Sequence, residues 1–407
     1  MVSIVIKIDS SSLSNPERIE QIAKRIIDEK KRGRNVIVVV PNMDLMEDKY
    51  LQLAKLLSDK PSKRELHVIE STNAQIASSL LAIAIQKRGF KAISLAGWQA
   101  GIETIESNKN VLIDQMNPEY IIDRLKNGEI VIVAGSQGVD RKNNILTLGE
   151  GGAETTAVAI AVALGAEHIE IYTEQDGIYT ADPSIVKEAR KLKQITYDEM
   201  LELANLGSRI VHPRAVELAK TYELPLIVRS SFGTTQGTLI KGDVDMEKNI
   251  VVRGVAYESE IIRLTVGYES YEQSSLANIF TTLADYNINV DIIVQAVIDG
   301  VKPTVSFSIA KEDFAEAIKV LEKNKEQLGF SFADFEVGLS KVSIVGSGMV
   351  SNPGVAARMF DRLRKENILV KMVSTSEIKV SVVVPQDDMV HAANVLHDEF
   401  NLVEELV

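Results

Sequence analysis

A glycine-rich segment near the middle of the chain has the residue types of an anion-binding loop. Residues 145–148 form a short, mostly apolar run, residues 149–152 read Gly-Glu-Gly-Gly, and residues 155–164 form a long apolar helix pattern. Glycines let backbone N–H groups approach an anion closely, and a helix N-terminus adds unpaired donors and the positive end of a dipole. The segment therefore predicts a phosphate loop between a strand and a helix.

Two carboxylates, Glu150 and Glu154, lie within this loop. A negative side chain repels a bound phosphate, so the charge of the loop conflicts with its shape. One hypothesis is that Asp9, Glu150 and Glu154 select a cationic substrate or a metal. No ligand spacing in the sequence defines a metal site, and none is predicted.

The composition excludes several kinds of chemistry and partner. The 407 residues include no Cys, which excludes disulfides, thiolate zinc sites and cysteine nucleophiles. The net charge of −12, with no basic stripe, argues against nucleic acid or an anionic membrane as a partner. The chain begins directly with a strand pattern, and no apolar run is long enough to span a bilayer. A cytoplasmic protein is expected, with a small molecule or another protein as its partner.

The first 240 residues alternate between apolar strands and amphipathic helices. Strands are predicted at 2–6, 36–40, 91–95, 129–134, 145–148, 169–172 and 226–229, and helices at 16–31, 71–87, 118–127, 155–164, 198–204 and 213–222. This alternation predicts an α/β domain with a mostly parallel sheet and helices on both faces.

The pattern changes after a charged, polar stretch at residues 241–255, which is predicted to be a linker. Beyond it, a strand-helix-strand-strand-helix unit occurs twice, in residues 256–335 and 336–407. The predicted elements include strands at 290–294 and 369–373 and a helix at 355–365. The segment Asp-Tyr-Asn-Ile-Asn-Val-Asp at 285–291 resembles Lys-Glu-Asn-Ile-Leu-Val-Lys at 365–371. The repeat predicts two small α+β domains that together bind a ligand.

Motifs along essentially the whole chain resemble the aspartokinase family, in particular the bacterial lysine-sensitive type with two C-terminal ACT domains. In chain order the matching segments are 94–101, 131–138, 147–164, 171–183, 199–207, 211–217, 228–232 and 342–351. The resemblance implies an amino-acid-kinase fold in residues 1–240, followed by two ferredoxin-like ACT domains. It also implies that ATP, with Mg²⁺, phosphorylates the side-chain carboxylate of L-aspartate, at the head of the route to lysine, threonine and methionine.

The family's substrate site is altered in this sequence. Lys7 is retained, and by resemblance it contacts the transferring phosphate, but the two glycines that follow in the family pattern are Asp9 and Ser10 here. Ala74 stands where the family has a glutamate that positions the substrate amino group. Glu150 stands where the family has an arginine that clamps the aspartate carboxylate. The segment at 41–44 also departs from the family pattern.

These changes predict a loss of aspartate binding. A charge about 4 Å from a ligand charge contributes roughly 4 kcal/mol at an effective dielectric constant near 20, so an Arg-to-Glu change turns attraction into repulsion of similar size. The main interpretation is therefore a weakly active or non-catalytic homologue that regulates through an amino-acid effector. The alternative is a catalytically active, feedback-regulated aspartate kinase with an unusual active site.

The nucleotide and effector sites retain more of the family pattern. The implied nucleotide-binding residues are Thr173, Asp176, Tyr179, Asp182 and Arg209, the last in place of a Lys. The implied effector-binding residues are Asn289, Asp291 and Gln295 in the first ACT domain and Gly348, Met349, Val350 and Ser351 in the second.

Backbone amides near Gly348 suit a carboxylate, and Asp291 suits an ammonium group, so an amino-acid effector is expected, lysine first and threonine second. The alternative is that Asn352 caps a helix and Asp291 is merely solvated. The resemblance further implies a homodimer, or a heteromer with a catalytic aspartokinase, formed through the ACT domains.

Overall fold

The computed structural model describes residues 3–107, 110–206, 210–242, 251–269, 273–297 and 302–403. The chain divides into two compact units. The first comprises Met1–Ile178 and Lys191–Met246, and the second comprises Tyr179–Arg190 and Glu247–Val407. A twelve-residue segment between two parts of the first unit therefore belongs to the second.

An eight-stranded sheet forms the centre of the first unit, with strand order β10-β12-β11-β9-β1-β2-β6-β3. Its strands are β1 (Ser3–Ile8), β2 (Asn35–Val40), β3 (Ala92–Leu95), β6 (Ile130–Ala134), β9 (Ile169–Thr173), β10 (Gln194–Thr196), β11 (Leu226–Ser230) and β12 (Thr238–Lys241). All neighbours pair in parallel except β11 and β12. The predicted mostly parallel α/β sheet is confirmed.

A second, four-stranded sheet in this unit has the order β5-β4-β7-β8. Its strands are β4 (Ile102–Ser107), β5 (Asn110–Met116), β7 (Gln137–Val139) and β8 (Ile145–Thr147). Of these, the sequence pattern predicts only β8, because β4 and β5 alternate weakly and β7 is three residues long. This sheet carries the strand that leads into the glycine loop.

Seven helices occur in the described part of the first unit. They are α1 (Pro16–Lys31), α2 (Asp44–Leu57), α3 (Lys63–Gln86), α4 (Glu119–Lys126), α5 (Gly152–Leu164), α6 (Tyr197–Asn205) and α7 (Pro213–Thr221). The helix α3 begins at Lys63 rather than at Ser71 as predicted, because Ser62 caps it by accepting from the Glu65 N–H. The helix α2 has no counterpart among the predicted elements.

The helix α3 is long and apolar enough to cross a membrane by length and composition alone, contrary to the prediction from the sequence. Half of the apolar stretch within this helix is buried inside the protein, as in the core helix of a globular domain. Buried residues Ala77, Leu81 and Ile85 belong to the same core as strands β1 and β2. The feature is weak evidence for a membrane span.

The second unit contains one six-stranded antiparallel sheet shared by the two repeats, in the order β14-β15-β13-β16-β18-β17. Its strands are β13 (Gly254–Gly267), β14 (Ile293–Ala296), β15 (Thr304–Ala310), β16 (Phe332–Val345), β17 (Met372–Thr375) and β18 (Lys379–Pro385). The helices are α8 (Gln273–Asp285), α9 (Phe314–Lys323), α10 (Lys325–Leu328), α11 (Val355–Lys365) and α12 (Met389–Glu399). The predicted repeat of strands and helices is present.

Two predicted strands of this unit begin later than expected. The strands predicted at 290–294 and 369–373 lie at Ile293–Ala296 and Met372–Thr375. At the first of these, the Ile292 N–H donates to the Ser308 hydroxyl rather than to a backbone carbonyl, which delays the regular ladder. Of the predicted linker at 241–255, residues 243–250 lie outside the described residues.

Candidate active site and effector site

Lys7 lies at the end of the central strand β1, where it forms a buried ion pair with Glu154 of α5. The Lys7 Nζ atom is 2.7 Å from Glu154 Oε1, and each side chain is 10% exposed. The second carboxylate oxygen, Oε2, accepts from the backbone N–H of His212 at 2.6 Å. The expectation that Glu154 presents a free negative charge to a phosphate is therefore wrong, because its charge is balanced by Lys7.

The glycine loop is tightly packed against the start of α7. Gly151 precedes α5 with a φ of +68°, a conformation that L side chains rarely adopt. A Cβ at this position would lie 2.2 Å from the His212 ring. Close packing within the protein thus requires this glycine, independently of any ligand.

Arg214 holds the loop from the other side. Its two terminal nitrogens donate to the backbone carbonyls of Leu148, at 3.0 Å, and Val111, at 2.7 Å. Burial lowers the pKa of the guanidinium. The motif at 211–217 resembles the family sequence, but no role was predicted for His212 or Arg214. His212 acts through its backbone N–H, and Arg214 donates to backbone carbonyls, and residue types do not reveal such contacts.

The two altered substrate positions differ in their surroundings. Glu150 is exposed at the tip of the glycine loop. Ala74 is fully buried on α3. One position further along α3, Gln75 donates to Gln137 Oε1 at 3.2 Å, and Gln137 donates in turn to the Ser71 carbonyl at 2.9 Å. The helix that carries Ala74 is therefore fixed against β7.

Asp9 serves the turn that follows β1. Its carboxylate oxygen Oδ1 accepts from the backbone N–H of Ser12 at 3.1 Å and also from the Ser12 hydroxyl. The Ser12 hydroxyl contacts Ser231 Oγ at 2.7 Å. Asp9 is thus engaged locally. Among the described residues, no cluster of three or more His, Asp or Glu side chains could hold a metal ion, so the metal hypothesis gains no support.

The predicted nucleotide-binding residues are divided between the two units. Thr173 and Asp176 belong to the first unit, and Tyr179 and Asp182 belong to the second. Arg209 lies outside the described residues. The Thr173 hydroxyl donates to the Gln175 carbonyl at 2.8 Å, and Asp176 Oδ2 accepts from Lys191 Nζ at 2.9 Å.

The segment Tyr179–Arg190 is built into the second unit. Ala181 and Val186 pack in the core of the second repeat. The Thr180 hydroxyl contacts Nε2 of the buried His397 at 2.8 Å. The sequence does not indicate that this segment belongs to the second unit, because the segment continues the nucleotide loop without a break.

Asp182 is held by hydrogen bonds to both of its oxygens. Oδ1 accepts from the Ser184 hydroxyl at 2.7 Å and from the Ser184 backbone N–H at 2.8 Å, and Oδ2 accepts from the Tyr257 hydroxyl at 3.0 Å. Burial disfavours the charged carboxylate, but these bonds outweigh it, and the pKa of Asp182 is lowered. Burial and the same contact raise the pKa of Tyr257 to about 12.

One effector residue of the first repeat, Asp291, pairs with an internal cation. Lys341, in β16, is 5% exposed and pairs with Asp291 Oδ2 and, at 2.6 Å, with Glu258 Oε2. Burial opposes the charge of Lys341, but the two carboxylates prevail and raise its pKa. Asp291 therefore already binds one ammonium group, supplied by its own chain, while Asn289 and Gln295 are exposed.

The effector residues of the second repeat form a turn before α11. Residues Gly348, Met349, Val350 and Ser351 lie in a 3₁₀ turn at Ser347–Ser351. Asn352 does not cap α11, whose N-cap is Gly354; its side chain donates to the Gly348 carbonyl at 2.8 Å. The helix-cap interpretation of Asn352 is wrong, and its side chain instead stabilises the turn through this hydrogen bond.

Comparisons with known proteins cover both halves of the chain. Residues 3–230 match the amino acid kinase family, and residues 342–400 match an ACT domain. Aspartokinase 2 of Bacillus subtilis strain 168 is 51% identical over 399 residues, which is 98% of this chain and 98% of that protein.

Solved structures share the fold. Aspartokinase III of E. coli in complex with aspartate and ADP matches with a TM-score of 0.80 at 20% identity, covering 97% of this chain and 99% of that one. The same protein in complex with lysine and aspartate matches with a TM-score of 0.77 at 20% identity, covering 98% and 100%.

Proposed function

The chain belongs to the aspartokinase family of the aspartate pathway, and we propose that it is a catalytically active, feedback-regulated aspartate kinase with an altered aspartate site. The observation that carries the proposal is 51% identity to an aspartokinase over nearly the full length of both chains. The comparisons favour this alternative over the main interpretation from the sequence, a non-catalytic homologue. The family reaction transfers the γ-phosphoryl group of ATP to L-aspartate and yields 4-phospho-L-aspartate.

Catalysis of phosphoryl transfer consists mainly of positioning and charge stabilisation. We assign this role to Lys7, and its ion pair with Glu154 supports the assignment because it fixes the direction of the ammonium group. The spare N–H groups of that ammonium can then donate to phosphate oxygens. Mg²⁺, when bound with ATP, would neutralise phosphate charge, and it commonly binds through substrate phosphates and one or two carboxylates rather than a protein cage.

Glu150 and Ala74 are expected to weaken aspartate binding rather than phosphoryl transfer. Glu150 is exposed, so solvent and salt reduce its repulsion of the substrate below the roughly 4 kcal/mol expected at an effective dielectric constant near 20. Ala74 removes one partner of the substrate amino group. We therefore expect a high KM for aspartate, with a smaller loss in kcat.

A second candidate function is that of a non-catalytic, effector-binding homologue. It is favoured by the replacement of two substrate-binding residues of the family pattern, at Ala74 and Glu150. An aspartyl-hydroxamate assay with Mg-ATP separates the two, provided that aspartate is raised until the rate saturates. Saturable turnover supports the kinase, and the absence of turnover at every aspartate concentration supports the second candidate.

Amino-acid regulation is the remaining part of the proposal. A lysine complex is known for the E. coli aspartokinase of the same fold, and lysine is the effector we propose first, with threonine second. The outer strands β14 and β17 present apolar side chains, among them Ile293 at 48% exposed and Val373 at 39%. We propose that ACT domains pair between chains through these edges, as a homodimer or with a second aspartokinase, in the cytoplasm. Light scattering with and without lysine tests the assembly.

A further inference from the structure

A cleft of about 420 Å³ lies in the first unit, away from the residues assigned above. It is bounded by the first turns of α3, by the β4 and β5 hairpin, and by the turn that joins β7 to β8. None of the predicted aspartate, nucleotide or effector residues lines it. Its volume falls within the range of small-molecule sites.

The rim of the cleft is rich in cationic side chains. Lys63 and Arg64, in the first turn of α3, face the same cleft as Arg141 and Lys142 of the β7–β8 turn, and His67 lines it one turn further along α3. The positive end of the α3 dipole adds to this charge. Four permanent positive charges therefore line the cleft, against three carboxylates.

The three carboxylates of the cleft are already engaged. Glu106 is 4.0 Å from Lys63, and Asp114 is 3.3 Å from Arg141. Asp140 accepts from the backbone N–H groups of Lys142 and Asn144, both at 2.8 Å. The Asn144 side chain, which donates to Asp140 at 3.0 Å, lowers the pKa of Asp140 most, and the two backbone bonds lower it further. Lys142 Nζ has no hydrogen bond or salt bridge within the described part of the chain, so it is available to a ligand.

Thr104 supplies an independent sign of a ligand. It lines the cleft and is 3% exposed, and its hydroxyl has no hydrogen-bond partner among the described residues. A buried hydroxyl without a partner costs roughly 1–3 kcal/mol, which a ligand can recover. Beside it, Ile105 and Leu146 provide an apolar surface in the cleft.

We propose that this cleft binds a small organic anion, with a phosphate or carboxylate head among the cationic side chains and the Thr104 hydroxyl, and an apolar body against Ile105 and Leu146. The site is distinct from the proposed kinase site, and the proposal does not depend on catalytic activity.

Isothermal titration of the full-length protein tests the proposal with four probes. Phenyl phosphate and benzoate carry the two possible heads on an apolar body, inorganic phosphate has a head alone, and benzyl alcohol has a body alone. We expect phenyl phosphate or benzoate to bind more tightly than either inorganic phosphate or benzyl alcohol. The better of the two identifies the head.

Three variants locate the binding. Arg141→Gln with Lys142→Gln should weaken the preferred probe about tenfold by removing two charges from the cleft. Thr104→Val should weaken it too without lowering the melting temperature, because the hydroxyl it removes has no partner in the protein. The matched control, Lys24→Gln with Lys126→Gln, removes two exposed cations from other helices and should bind normally.

Equal weakening in the double variant and its control would overturn the proposal, since it would reflect net charge alone. Unchanged affinity in both, or no binding of any probe, would overturn it as well. Should Thr104→Val lower the melting temperature as well, the double variant, which alters only surface side chains, still decides the question.

Discussion

Lys7 and Glu154 are 147 positions apart in the sequence, yet their side chains meet at 2.7 Å in a site where each is only 10% exposed. The pairing joins the end of the central strand β1 to the first turn of α5. Of the two carboxylates in the glycine loop, the buried one, Glu154, is therefore neutralised by Lys7. What remains unbalanced at the glycine loop is the exposed Glu150.

Breaking this pair from one side should destabilise the first unit strongly. Lys7→Met leaves the Glu154 carboxylate buried without its cation, and removing one partner of a buried pair typically costs about 3–5 kcal/mol. Adding Glu154→Gln to Lys7→Met should recover much of that loss, because the amide oxygen can still accept from His212 N. Urea unfolding of the two variants and of Lys24→Met, an exposed control, provides the measurement. A loss below about 1 kcal/mol in Lys7→Met would show that the pair is solvated in solution.

Reversing the charge at Glu150 should improve aspartate binding if the kinase site lies where we propose. Glu150→Arg exchanges a repulsive charge for an attractive one at an exposed position, so we expect KM for aspartate to fall about tenfold with little change in stability. Glu167→Arg makes the same change of charge at an exposed residue after α5 and should leave KM unchanged. Equal effects of the two variants would mean that Glu150 does not face the substrate.

Ala74→Glu is a more demanding change than the sequence suggests, because Ala74 is fully buried. A carboxylate introduced there is stabilised only if the substrate or a neighbouring hydrogen-bond donor pairs with it. We therefore expect Ala74→Glu alone to lower the melting temperature, and the combination with Glu150→Arg to regain part of it when aspartate is added. Thermal unfolding with and without aspartate is the measurement. No aspartate-dependent gain in the combined variant would place the amino group of the substrate elsewhere.

Periodicity and residue type predicted much of the fold. Strands β2 and β6 are almost entirely apolar runs in a buried parallel sheet, and α11 was predicted with the observed bounds. Weakly alternating β4 and β5 could not be recognised, because they gain their order from pairing with each other. The ion pair between Lys7 and Glu154 could not be predicted either, since residue types do not show which side chains meet across 147 positions. The attachment of Tyr179–Arg190 to the second unit depends likewise on tertiary packing alone.

Asp291 should be required for a lysine effect on the second unit. Lys341 contacts its Oδ2 atom, and we expect the effector's ammonium group to bind the same carboxylate through the other oxygen. Asp291→Asn should therefore abolish most of the rise in melting temperature that lysine produces. Glu322→Gln, which removes an exposed carboxylate from α9 in the same repeat, serves as the control. A full lysine shift in Asp291→Asn would assign the ammonium group to another site.

The stability of the second unit should fall in mild acid because of His397. Burial lowers the pKa of His397 below its ordinary value of 6.5. The negative charges of Asp398 and Glu188 oppose this shift, and the positive charge of Arg190 adds to it. The unfolded chain therefore binds a proton at a higher pH than the folded unit does, so stability is complete above about pH 6.5 and declines as the pH falls below it. A single group contributes at most about 1.4 kcal/mol per pH unit in that window. His397→Gln should lower stability at pH 7.5, through loss of the Thr180 contact, but should flatten the decline between pH 7 and pH 5 (about the range in which histidine titrates). Urea titrations at several pH values measure both effects, and an equally steep decline in His397→Gln would assign the acid sensitivity to other groups.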